Sequence, residues 1–187
     1  MAKTESNMLA LGTKAPAFTL YDSQSEQMIS LMDLSIDKGL VVLFICNHCP
    51  YVIHLNKALV ALANDYQSKG ICFIAISSND ASNYPQDGPV EMTKHAKQNH
   101  YPFPYLYDET QSVAKAYRAA CTPDIYLFDE ALTLKYRGQF DASRPGNDVP
   151  VTGNELRFAL ACLLDGAPLP ERQKASLGCN IKWKANA

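Results

Sequence analysis

Two cysteines and a histidine crowd into Cys46-Asn47-His48-Cys49-Pro50, where the apolar run Leu40 to Cys46 (LVVLFIC) gives way to a helical pattern. Proline suits the first residue of a helix, so Pro50 places Cys49 at the N-cap and leaves Cys46 at the end of a strand. A sulfur at a helix N-terminus meets unpaired N–H groups and the positive end of the helix dipole. Its pKa can fall by about one unit or more, each unit favouring the thiolate by about 1.4 kcal/mol. A thiolate attacks a peroxide oxygen to give a sulfenic acid, or a disulfide sulfur to give a mixed disulfide. Cys49 is therefore the expected nucleophile. Asn47 and His48 could stabilise its charge, although neighbouring residues often point in opposite directions. Cys72 lies within a buried strand pattern and Cys162 within an apolar helix, and both read as core residues.

Another chemistry open to the same segment is metal binding. Cys46, His48, Cys49 and His54 form a compact set of ligands suited to copper(I) or zinc. Against it, the chain has only four histidines and none after His100, and His54 otherwise reads as a helix-surface residue. A redox-inert binding protein, with Cys49 as a remnant, is a third possibility.

The elements that must position Cys49 alternate between strand and helix from about residue 17 to 164, the pattern of an α/β sheet protein. Leu40 to Cys46 is apolar throughout and predicts a central strand covered on both faces. Val52, Leu55, Leu59, Leu62 and Tyr66 recur at helical spacing up to Gly70. Ile71 to Ser77 is a second buried strand, joined to the first by a right-handed parallel crossover. Further on, the pattern predicts a helix over 91–98, a strand over 103–107 and a helix over 110–118. A hairpin is expected over 125–136, with a smaller one over 17–30. Thr152 and Glu155 predict a capping box ahead of the last helix. Asn79 and Asp80 follow a strand end on the same sheet edge as Cys49, where Asp80 could cap a helix. The segment from Asp165 onward has no period, and Trp183 is its expected anchor.

With 187 residues, a core can form without disulfide staples. Seventeen basic against nineteen acidic residues, with a pI near 6.1, give no field for nucleic acid or anionic lipid. No apolar segment has the length of a membrane span or of a signal peptide, so a cytoplasmic protein is expected. Six cysteines in a reducing compartment are more often reactive or buried than permanently bridged.

The chain resembles the peroxiredoxin-like redoxins of the alkyl hydroperoxide reductase and thiol-specific antioxidant family, within the thioredoxin superfamily. The resemblance rests on Gly12-x-x-x-Pro16-x-Phe18-x-Leu20, LVVLFICNHCPYV, SSND at 77–80, FPYLYDETQ at 103–111, AACTPDIYLFD at 119–129, YRGQFDASRPGN at 136–147 and GCNIKWK at 178–184. It implies one thioredoxin-like domain over 1–187, with a core over about 12–165 and an irregular C-terminal tail over 166–187. The expected fold is a central mixed sheet flanked by helices, with an N-terminal β-hairpin extension. The resemblance also implies Cys49 as nucleophile and Thr122-Pro123 as a cis-proline loop facing it. A proline there leaves nearby backbone groups free to pair with an extended thiol substrate.

Cys46, Cys121 and Cys179 are the candidate resolving cysteines. Arg137 and Arg144 could supply a cation near the site or anchor a loop through backbone carbonyls and Asp141. The implied partners are a peroxide or disulfide substrate, an external dithiol such as a thioredoxin and, as dimers are common on this fold, a second copy of the chain, with no cofactor. The sequence departs from the family at two informative places. Thioredoxins carry a second cysteine three residues after the first, and here that position is Val52. Peroxiredoxins hold peroxide with a threonine and a proline upstream of the cysteine, and those positions are Cys46 and Val42.

Overall fold

The computed structural model describes residues 3–185, so the last two residues of the tail lie outside it. The apolar run forms β4 (Gly39–Phe44), every residue of which is buried. It pairs in parallel with β5 (Ile71–Ser77) and antiparallel with β8 (Asp124–Asp129). Alternation of side chains along β4 then builds two cores. Val41 and Leu43 face one core, whereas Leu40, Val42 and Phe44 face the other. The full sheet runs β3-β2-β6-β5-β4-β8-β9, with β2 at Thr19–Asp22, β3 at Met28–Ser30, β6 at Tyr105–Tyr107 and β9 at Leu134–Arg137. The small hairpin expected over 17–30 is β2–β3, which joins the sheet through β6.

Between β4 and β5 runs α1 (Pro50–Gln67), with Pro50 in its first turn and Cys49 as N-cap. Its buried stripe of Val52, Leu55, Leu59, Leu62 and Tyr66 is the one its spacing predicts. Gly70 follows at φ +85°, a conformation that favours glycine. The helices α2 (Pro89–Asn99), α3 (Ser112–Ala116) and α4 (Asn154–Leu164) complete the layers, and α3 is shorter than the 110–118 expected. Cys162 and most of Cys72 are buried within these layers. Among the described residues no helix is long and apolar enough to cross a membrane.

Three expectations are corrected. The tail is not irregular throughout, because Leu177–Asn180 forms β10 at the centre of a second sheet, between β1 (Lys3–Glu5) and β7 (Cys121–Thr122). The tail's anchor is not Trp183, which is 41% exposed, but the buried Cys179 and Ile181. A lone strand across two distant segments has no periodicity to betray it.

The capping box at Thr152 and Glu155 does not form. Gly153 is the N-cap of α4, and Glu155 instead accepts from Gln139 and Lys174. The N–H groups of Thr152 and Gly153 donate to Asp141 Oδ2 at 2.7 Å each, and Ser143 N–H donates to Oδ1 at 2.9 Å. One buried carboxylate thus does the work of the cap, and each charged hydrogen bond of this kind contributes about 1.5–3 kcal/mol. Asp141→Ala is expected to lower unfolding free energy by at least about 2 kcal/mol in urea melts; a wild-type midpoint would contradict this.

Candidate active site

Cys49 sits where β4 ends and α1 begins, at the carboxyl edge of the sheet. As a thiol it donates to the Thr122 carbonyl at 3.0 Å. That contact and burial favour the neutral form, but more donors oppose them. The Cys46 thiol contributes most, followed by the Thr122 and Cys179 side chains and the Val52 N–H in the first turn of α1. Together they lower the Cys49 pKa from 9.0 to about 5.

The same contacts act in reverse on the donors. The bond to Cys49, together with burial, holds Cys46 well above the ordinary thiol value. Burial first, and the Cys49 contact next, push Cys179 up to about 12. One sulfur is thus ionised while two neighbours stay protonated.

The structure gathers the candidate cysteines around Thr122-Pro123, whose peptide bond is cis as the resemblance implies. Cys46 Sγ lies 3.5 Å from Thr122 Oγ1. Cys179 pairs across the ladder with Thr122, and Asn180 pairs with Cys121. Cys121 is less directly placed, since its Sγ faces the carbonyls of Pro123 and Ser176 and burial raises its pKa. Backbone groups beside Pro123 were expected to be free for a substrate. That is corrected too, because β10 already pairs with Thr122 there.

Asn47 and His48 turn away from the expected role. The Asn47 N–H donates to Asp87 Oδ1 at 2.9 Å, its amide donates to the Gln86 carbonyl, and its Oδ1 accepts from Tyr105. His48 Nδ1 is 2.6 Å from Asp87 Oδ2. Asn79 reaches the same carboxylate at 2.8 Å and so helps hold the Cys49 loop from β5. Asp80 caps no helix and instead accepts from Ser82 N–H and the Asn83 amide in a local turn. His54 is half-buried with Nε2 2.7 Å from Ser143 Oγ, which removes it from any metal set with Cys46 and Cys49.

Neither arginine is aimed at Cys49. Arg137 binds Gln173, and Arg144 donates to the carbonyls of Asp141 and Ser143 and to Gln139 Oε1. Arg144 does line a small recess with Pro123, Tyr51 and Ser176. The residue that sequence reasoning missed is Asp87. Its only local signal is the turn-like Pro85-Gln86-Asp87-Gly88, and its importance comes from contacts made about forty positions away in the chain.

An acidified thiol at a helix N-cap, ringed by other thiols on a thioredoxin-like sheet, is the arrangement of a thiol oxidoreductase of that fold. Residues 11–137 match the AhpC/TSA family, and the chain belongs to it. A protein of Geobacillus kaustophilus, described as an uncharacterized conserved protein, has 56% identity and a TM-score of 0.98, over 100% of this chain and 99% of that one. A hypothetical protein of Sinorhizobium meliloti 1021 has 44% identity and a TM-score of 0.94, over 97% and 99%. The peroxidoxin BcpB of Mycobacterium tuberculosis has 17% identity and a TM-score of 0.63, over 84% and 97%, a likeness that carries the fold alone. No curated protein matches the chain.

Proposed function

We propose that the chain is a thiol–disulfide oxidoreductase in which Cys49 attacks and Cys46 resolves. The observation that carries this is the contact between an acidified Cys49 and the protonated Cys46 three residues before it, with Arg137 and Arg144 both committed elsewhere. Peroxide reduction needs strong donors on the departing oxygen, and Cys46 and Val42 supply none of that strength.

The Cys49 thiolate attacks one sulfur of a substrate disulfide, forming a mixed disulfide and releasing the other sulfur as a thiolate that takes up a proton. Cys46 then loses its proton and attacks the Cys49 sulfur. That step releases the second substrate thiol and leaves a Cys46–Cys49 disulfide. Two electrons have passed to the substrate. An external dithiol such as a thioredoxin returns them, in a reducing compartment such as the cytoplasm.

The test offers the reduced chain either hydrogen peroxide, with a sulfenic-acid trap, or a small disulfide, and maps the products by mass spectrometry. Faster reaction with the disulfide, ending in Cys46–Cys49, is expected. Cys46→Ser should stall at the mixed disulfide, with turnover reduced roughly 100-fold or more because resolution is no longer intramolecular. Faster trapping of a sulfenic acid at Cys49 would replace this reading with a peroxidase.

A further inference from the structure

Among the described residues, one group of metal-ligating side chains converges, and it lies beside the redox cysteine rather than on it. Cys46, His48 and Asp87 each present a ligand atom within 4.8 Å of the other two. We propose that these three residues form a zinc(II) site.

Thiolate sulfur, imidazole nitrogen and carboxylate oxygen are the three donor types that zinc takes from proteins. Cys46 is 1% exposed and Asp87 is fully buried, so a metal held there is shielded from water on the protein side. Asp87 is oriented by the Asn47 N–H on Oδ1 and the Asn79 amide on Oδ2, which is the outer support that metal-ligating carboxylates require. The His48 ring is stacked on Tyr84, with centroids 5.8 Å apart and planes 3° from parallel.

A second observation points to a ligand. His48 Nδ1 comes within 2.6 Å of Asp87 Oδ2 but is not aligned to hydrogen-bond it, and this buried nitrogen has no hydrogen-bond partner. Two ligands of a tetrahedral zinc stand about 3.3 Å apart, so the ion takes its place between nitrogen and carboxylate once the His48 ring has drawn back by under about 1 Å. Among the described residues, the polar side-chain and backbone groups that meet the Asp87 carboxylate come from Asn47, Asn79 and His48, and none is a lysine or arginine. A cation between Asp87 and an ionised Cys46 would turn like-charge repulsion into attraction.

Access is through a cleft of about 220 Å³ lined by Asn47, His48, Gln86, Lys94 and His95. Binding sends the Cys46 thiol proton to solvent and takes neutral His48 and ionised Asp87, with no change of oxidation state. A water completes four-coordination. Zinc and a Cys46–Cys49 disulfide exclude each other, since one sulfur cannot serve both. The site itself does not depend on the proposed exchange activity.

The experiment is competition for Zn²⁺ between the reduced full-length chain and a chromophoric chelator, with Co²⁺ as a spectroscopic substitute. One equivalent of zinc, a thiolate-to-cobalt charge-transfer band and retention in Cys49→Ser are expected. His48→Gln and Asp87→Asn should each weaken binding by at least about tenfold. Asp87 also holds the loop, so His48→Gln, on a ring that is 20% exposed, is the deciding variant if Asp87→Asn fails to fold. Failure of the wild type to compete would overturn the assignment. So would undiminished binding by His48→Gln, which would move any metal to the thiols alone.

Discussion

In the reduced, metal-free protein one thiolate is expected to titrate with a midpoint near pH 5. Its absorbance is isolated as the ultraviolet difference between wild type and Cys49→Ser. The cause is the donor ring around Cys49, led by the Cys46 thiol. Two substitutions at Cys46 then separate its roles. Serine keeps a hydroxyl donor, so Cys46→Ser retains an acidified Cys49 although it cannot resolve a mixed disulfide. Alanine removes the donor, and Cys46→Ala is expected to raise the midpoint by roughly one unit or more. A wild-type midpoint at the ordinary thiol value, or identical shifts in both variants, would contradict the hydrogen-bond account.

The same acidity has a stability consequence. Between about pH 5 and the ordinary value of 9.0, Cys49 carries fewer protons in the folded chain than in the unfolded one. The stabilisation is fully present above 9.0 and is lost as pH falls through 5. Reduced wild type should therefore lose its advantage over Cys46→Ala on acidification across that window, as followed by urea midpoints.

What the sequence revealed was what depends on local pattern. β4, α1 and β5 follow from an unbroken apolar run, a three- and four-residue spacing and a second apolar run, and Pro50 alone fixes Cys49 at the N-cap. The partners of that sulfur were legible as residue types but not as neighbours. Cys46 is in contact because it is three residues away, whereas Cys179 is in contact because β10 docks on β7, a pairing without periodicity. Asp87 was invisible because a buried carboxylate in a turn has the same sequence signature as a solvated one. Asp141 displaced the expected capping box for a similar reason, supplying from outside the helix what Thr152 was expected to supply from within.

Gly178→Val is expected to uncover Cys49, which is wholly inaccessible in the structure. A Cβ at position 178 would stand 1.9 Å from the Thr122 carbonyl oxygen, 2.6 Å from its carbon and 3.1 Å from Pro123 N. These are backbone atoms, so rotamer changes cannot relieve the clash and β10 must move. Its retreat breaks the pairing of Cys179 with Thr122 and strains the bonds from Ile181 N–H to the Ala120 carbonyl and from Lys182 N–H to Asn79. Overpacking of this kind costs about 1–3 kcal/mol. The lower part of that range already raises the undocked population roughly 5–30-fold, and alkylation of Cys49 should accelerate by a similar factor. Gly146→Ala is the control, since position 146 at φ +82° has nothing within 4 Å and is strained without touching β10. Should Gly178→Val react at the wild-type rate with an unchanged melting temperature, β10 does not cover the nucleophile. Acceleration in Gly178→Val alone makes the C-terminal strand the gate that any substrate approaching Thr122 has to displace.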